Sequence, residues 1–250
     1  MRPGSDTVSS HQPPGRRALA LGVYLSNREH LADQIAAELS TSRLWQVDQR
    51  WVALGDGPLP GMLAGLTAAR VQPPVSKFVL VNRLLSWINL ADYEYVIVTD
   101  DDISLPPGFV DDYLSVVTRH GFALAQPARS HDSHIDHQFV ECRDQLEARW
   151  TRFVEIGPLF SLDRRAVPLL TPFDETAYMG WGLDFVWPAR LEKAGLRLGI
   201  VDATPVAHRI RKPVTHYDLK PAMAAMKRFL ASQPHLSRDE AFRVIEEYRR

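Results

Sequence analysis

The sequence predicts an α/β fold, with a doubly wound, mainly parallel central sheet, helices on both faces and a helical C-terminal tail. Three observations carry that expectation. Short β-branched and aliphatic runs alternate with stretches of helical period, there is no internal repeat, and the run "YVIV" at 95–98 stops abruptly at three consecutive carboxylates, Asp100, Asp101 and Asp102. A run that is apolar at every position suits a strand covered on both faces. Open α/β sheets gather their ligands beyond the carboxyl ends of such strands.

The elements follow in order. Residues 1–16 are rich in Pro, Ser and Gly and read as a flexible leader. Residues 18–25 form a first strand, and Asn27 caps a helix through Leu39 in which Leu31, Ile35 and Leu39 recur every four residues. A strand over 44–54 and the Gly/Pro loop 55–61 come next. Ser76 caps a helix from Lys77 to about Leu90, with Phe78, Val81, Leu84, Leu85 and Ile88 on its apolar face. After the acidic strand end, Pro106 and Pro107 open a helix through Arg119, followed by a strand over 121–128. Residues 128–148, with His131, His134 and His137, are polar and aperiodic, the pattern of a mobile loop. Residues 152–162 alternate as a strand that ends at Gly157 and Pro158, Asp163 caps a short helix after it, 179–195 read as a turn and helix, and 196–208 as a strand. Two helices complete the tail, the second opened by Ser237 and Glu240 at capping-box spacing. The organisation expected is a leader over 1–16, one catalytic domain over 17–216 and C-terminal helices over 217–250 packed on it.

Composition narrows the class. A 250-residue chain that is 45% hydrophobic and 24% charged, with a formal net charge of -1, is ordinary for a soluble domain and has no electrostatic basis for nucleic-acid binding. Cys142 is the only cysteine, so neither an intrachain disulfide nor a multi-thiolate zinc site can form, and a reducing, cytoplasmic setting is expected. The apolar run after Arg16 and Arg17 is far shorter than the roughly 20 residues of a membrane span. Peripheral membrane contact stays open.

Adjacent carboxylates at a strand end repel one another, so a positive partner is expected there. In extended chain Asp100 and Asp102 point the same way and Asp101 the other. Two converging carboxylates suit a hard divalent cation such as Mn²⁺ or Mg²⁺, which shares oxygen ligands with phosphate. A solvated acidic loop is the competing account.

The segments "KFVLVNRLL", "YEYVIVTDDDISL", "FVEIGPLFS", "GWGLDF" and "GIVDATPVAH", in this order, resemble nucleotide-sugar glycosyltransferases of the GT-A (Rossmann-like) fold. They are most similar to an uncharacterised glycosyltransferase-like family best represented in plants. The resemblance spans about residues 18–210. It implies a metal bridging the protein to a donor diphosphate, with Asp102 a direct ligand, Asp100 facing the metal through water or the donor ribose, and His208 completing the ligand set. An imidazole mildly favours Mn²⁺ over Mg²⁺. Asp101 falls at the motif's middle position, commonly Glu in the family, and is grouped with Asp100, Lys77 and Arg83 on the donor side.

Asp184, expected in the first turn of a helix, is by its position in the resembled pattern the candidate catalytic base. The resemblance further implies that Trp181 and Gly182 beside it, with Glu155, Gly157 and Pro158, border the acceptor. For Asp184 and Trp181 a capping cluster with a core tryptophan competes; for Lys77 and Arg83, a solvated helix face. The function implied is metal-dependent transfer of a sugar from a nucleotide diphosphate donor to a saccharide or other hydroxyl acceptor, with inversion. A haloacid dehalogenase-type phosphohydrolase, suggested by the Asp-x-Asp-x-Ser after a strand, and a catalytically inactive sugar-binding module are the alternatives.

Overall fold

The computed structural model describes residues 16–212 and 219–250; the expected leader, apart from Arg16, and the domain boundary at 216 lie outside the described residues. The strands are β1 (Arg17–Leu25), β2 (Gln46–Leu54), β3 (Thr67–Val71), β4 (Tyr95–Thr99), β5 (Ile103–Ser104), β6 (Phe122–Arg129), β7 (Leu146–Thr151), β8 (Leu159–Asp163), β9 (Arg197–His208) and β10 (Val244–Arg249). The helices are α1 (Ala32–Leu39), α2 (Leu63–Leu66), α3 (Lys77–Leu85), α4 (Phe109–His120), α5 (Val167–Leu170), α6 (Leu183–Lys193), α7 (Leu219–Ala231) and α8 (Arg238–Ala241).

One sheet runs in the order β10-β7-β9-β6-β8-β4-β1-β2-β3, with β5 pairing the end of β9. Strands β3, β2, β1, β4, β6, β9 and β10 run in one direction, and β8 and β7 run against them. The carboxyl ends of β1, β2, β4, β6 and β9 therefore share one edge with the amino end of β8.

Alternation along the strands feeds two cores. Leu19, Leu21, Val96, Val98, Phe160 and Leu162 face α3, α5, α6 and α7 through Phe78, Leu84, Leu170, Trp187 and Phe229. On the other face Ala18, Ala20, Tyr95, Ile97 and Val201 meet α1 and α4 through Ile35, Leu39, Phe109, Tyr113 and Val117. Gly22 lies under Trp51, whose ring carbons would stand 2.1 Å from an added Cβ. The Trp51 ring thus occupies the space a side chain on the neighbouring strand would need.

Several boundaries differ from the sequence reading, each for a local reason. The first helix begins at Ala32 without a side-chain cap, because Leu31 at its N-cap has no side-chain acceptor; Asn27 lies earlier and donates its amide to Asp56 at 2.9 Å, and the Leu31 N–H donates to the Asp101 carbonyl at 2.6 Å. Residues 152–158 bend instead of pairing, and the strand begins at Leu159. The Ser237–Glu240 capping box is present, but its helix lasts one turn and the chain re-enters the sheet as β10 against β7. The C-terminal segment is thus not wholly helical.

The segment expected to be a mobile loop is pinned. The buried Arg149 of β7 donates to both Asp202 carboxylate oxygens at 2.9 Å, to the Phe139 carbonyl at 2.7 Å and to the Glu141 carbonyl at 2.9 Å. The Cys142 N–H adds a bond to the Arg129 carbonyl at 2.8 Å. Removing one charge of a buried pair leaves the other uncompensated. Asp202→Asn is accordingly expected to cost about 3–5 kcal/mol of stability in denaturant titration, far more than neutralising an exposed pair such as Arg152–Glu192.

Candidate active site

The site is built at the shared carboxyl edge of the sheet. Pairing of β4 with β8 continues one step past Thr99, where the Asp100 N–H donates to the Pro158 carbonyl at 2.6 Å. On the far side β5 pairs Ile103 with His208, which brings the end of β9 onto the acidic segment. The three carboxylates then part company.

Asp100 accepts from Lys77 Nζ at 2.7 Å, and Lys77 also donates to the Ile156 carbonyl at 2.9 Å. An added Cβ on Gly157 would lie 2.8 Å from Asp100 Oδ2 and 3.1 Å from Lys77 Nζ, so glycine is what lets the chain pass beside this pair. Asp101 is buried. It accepts the Leu25 N–H at 2.7 Å and pairs with Arg211, and burial pushes its carboxyl up to about 6 against the opposing pull of Arg211. Asp102 Oδ2 lies 3.1 Å from His208 Nε2 and 3.1 Å from Arg211 Nη2. Burial acts to raise Asp102, but His208, Arg211 and Lys77 together hold it below the ordinary carboxylate range.

The donor set fits a divalent cation in part. Neighbouring ligands of an octahedral ion with bonds near 2.1 Å stand about 3 Å apart, and Asp102 Oδ2 and His208 Nε2 are separated by 3.1 Å. Asp100 is turned to Lys77, and among the described residues no three His, Cys, Asp or Glu side chains converge as a ready-made metal cage. Ions that bind nucleotide phosphates commonly take one or two protein ligands and fill the rest from phosphate and water.

A second cluster stands at the ends of β6 and α6. Arg129, the last residue of β6, is buried and donates to Glu155 at 2.6 Å and to the Gly157 carbonyl at 2.5 Å, while its Nη1 has no partner. The Glu155 N–H is held by Gln126 at 2.5 Å. Asp184 sits buried in the first turn of α6, and its Oδ1 has no hydrogen-bond partner. Burial pushes both carboxyls up to about 7; the Glu155 charge adds to the rise at Asp184, and backbone N–H groups of the helix start oppose it. A group poised near neutrality with a free lone pair can accept a proton.

Beside Asp101, at the ends of β1 and β2, Leu25, Asn27, Arg28, Leu54, Gly55 and Pro73 line a pocket of about 520 Å³. The remaining candidates fall unevenly. Trp181 is half-buried next to Asp184, and Gly182, at a φ of 95°, is packed against Phe229 and Leu230 of α7. Arg83 lies exposed in the last turn of α3, about 9 Å along the axis from Lys77 by helical rise. No contact joins Arg83 to the acidic end. His131 bonds Glu141 and Asp144 at 3.0 Å, His134 stands with its ring 6.1 Å from that of His208, and His137 packs between Phe153 and Phe242. The three do not share a site.

Two cations were missed. Arg129 closes the otherwise apolar stretch "GFALAQPAR", and Arg211 stands three residues after His208 in "HRIRK". A charge at the carboxyl end of a buried strand was the available signal in the first case.

Comparison with solved structures places the architecture. The chain superposes on the crystal structure of GalNAc-T7 with UDP, GalNAc and Mn²⁺ with a TM-score of 0.57 and 11% identity, covering 85% of this chain and 47% of that one. The fold is that of GT-A glycosyltransferases. S. aureus TarS 1-349 in complex with UDP-GlcNAc gives a TM-score of 0.51 and 9% identity over 85% of this chain and 65% of that one. The chain thus spans less than two thirds of either neighbour. No family model and no curated protein matches the sequence, so the narrower resemblance to a family best represented in plants has no match behind it.

The two raised carboxyls fix the sign of a pH effect. A carboxyl whose folded pKa lies above its unfolded value binds the extra proton when folded, so its contribution is present at low pH and is lost as pH rises from about 4 through about 7. Asp184→Asn removes that dependence. Relative to wild type, the variant is expected to gain up to about 4 kcal/mol at pH 8 and nothing near pH 4, read from denaturation midpoints at the two pH values.

Proposed function

We propose that the protein is a metal-dependent glycosyltransferase that moves a sugar from a nucleotide diphosphate-sugar to a saccharide or other hydroxyl acceptor. The observation that carries the reading is the Asp102–His208 pair, 3.1 Å apart, just past the carboxyl end of β4. Similarity in fold to GT-A structures determined with UDP, GalNAc and Mn²⁺ in one case and with UDP-GlcNAc in the other supports it.

In this reading the nucleoside occupies the pocket walled by Leu25, Leu54 and Pro73, with Asn27 and Arg28 as its polar rim. Asp102 and His208 would hold a Mn²⁺ or Mg²⁺ ion, which would supply charge stabilisation for the departing diphosphate. Lys77 keeps Asp100 neutralised at the same edge. The acceptor lies toward Trp181 and the Glu155–Pro158 turn, where Asp184 takes the proton of the attacking hydroxyl. Arg129, anchored on Glu155 and the Gly157 carbonyl, holds the shape of that wall. Attack by an acceptor so deprotonated, without a sugar–enzyme bond, inverts the anomeric configuration. No described helix is long and apolar enough to cross a membrane, and the buried single thiol of Cys142 supports a reducing, cytoplasmic setting.

The decisive experiment is a screen of nucleotide sugars for Mn²⁺-dependent release of nucleoside diphosphate, with mass analysis of products. Asp184→Asn keeps the side-chain shape and removes the base, so turnover is expected to fall about 10²- to 10⁴-fold with donor affinity little changed. Wild-type kcat should rise with pH through about 7 as Asp184 ionises. Asp102→Asn should instead abolish metal-dependent binding of the nucleoside diphosphate, measured by calorimetry. Binding of nucleotide sugar without any turnover would make the protein a sugar-binding module, and a product of retained configuration would remove Asp184 from the role of base.

A further inference from the structure

Arg211 makes three contacts that tie the segment after β9 to the acidic end of β4. Its guanidinium pairs with Asp101, stands 3.1 Å from Asp102 Oδ2, and donates through Nη1 to the Glu29 carbonyl at 2.7 Å. The side chain is largely buried and the two carboxylates are more so, which strengthens each charge interaction relative to water. The Asp102 oxygen that Arg211 approaches is the one that faces His208. Arg211 and a divalent cation held by Asp102 and His208 therefore call on the same lone pairs. Two positive charges sharing one carboxylate oxygen repel, and only one of them has an alternative seat: Asp101 and the Glu29 carbonyl can keep Arg211 once it lets go of Asp102.

We propose that Arg211 is the resident counter-ion of Asp102 and competes with the divalent cation for that carboxylate, so that Arg211 sets how tightly the metal binds. The inference rests on the assignment of Asp102 and His208 as metal ligands. It makes metal entry an exchange of cations: the guanidinium leaves Asp102, the ion takes its place, and Asp101 retains the arginine. A site that keeps its carboxylate neutralised in the absence of metal avoids a bare buried charge. The cost is a weaker apparent affinity for the ion.

The test is calorimetric titration of Mn²⁺ alone, without nucleotide, into the full chain and its variants. Arg211→Ala should bind Mn²⁺ at least about tenfold more tightly than wild type, which corresponds to about 1.4 kcal/mol. Arg211→Lys, which keeps the charge, should stay near wild type. Metal-free Arg211→Ala should melt lower than wild type, and saturating Mn²⁺ should close the gap. Asp102→Asn should remove Mn²⁺ binding in both the wild-type and Arg211→Ala backgrounds. If Mn²⁺ binds wild type through Asp102 and Arg211→Ala binds it equally or less tightly, Arg211 is not a competitor and the metal assignment stands. If neither wild type nor Arg211→Ala binds Mn²⁺, the metal assignment falls and the competition falls with it.

Discussion

Three successive carboxylates at the end of a central strand are the constraint around which this molecule is arranged. They repel one another, and Asp101 and Asp102 are also buried. The chain answers with groups drawn from distant positions: the Lys77 cation from the start of α3, the Arg211 cation from beyond β9, and beside them the His208 imidazole brought in by β5. Neutralisation is therefore a tertiary property. The Asp101 carboxylate also fastens the Leu25 N–H and its carbonyl the Leu31 N–H, so the acidic segment positions the end of β1 and the entry to α1 as well as carrying charge.

A second set of buried charges stands near the first with a different balance. Arg129 and Glu155 form a close pair, yet one donor of Arg129 and one oxygen of Asp184 are left without partners. Buried polar groups are ordinarily satisfied, so each one that is not calls for a local explanation. The contrast is chemical: at the acidic edge every carboxylate has a cation, whereas at Asp184 the carboxyl is held only by helix N–H groups and can exchange a proton near neutrality.

Much of the architecture was legible from the sequence because the inner strands are mostly apolar and the helices between them keep one apolar face. Where the reading failed, burial contradicted composition. The stretch "LEARWT" carries charges of both signs and hides a strand because Arg149 is satisfied internally by Asp202 and two carbonyls. "VIEEYR" follows a true capping box, and only the open edge of β7 turns it into a strand. At the site, a strand end and a helix start single out Asp102 and Lys77 from local pattern, whereas Asp184 and His208 are singled out only by the resemblance to the GT-A pattern. Arg83 could not be separated from Lys77 that way, since both are helical cations and only distance along α3 divides them. Arg211 could not be found at all, because its partners lie about a hundred residues away in the chain.

The reversed strand β8 gives the sheet a seam. Its ladder with β4 runs from Tyr95 opposite Asp163 to Thr99 opposite Leu159, but with β6 it shares only Leu124–Leu162 and Ala125–Ser161, reinforced by the Tyr113–Ser161 hydroxyl contact at 2.9 Å. Lys77 and the three aspartates ride on one bank of that seam, and Arg129 and His208 ride on the other. The contact between Asp102 and His208 spans the join. The β5–β9 pairing, which sets Ile103 opposite His208, spans it too, so the acidic segment laces the two banks together where β6 and β8 share only two residue pairs.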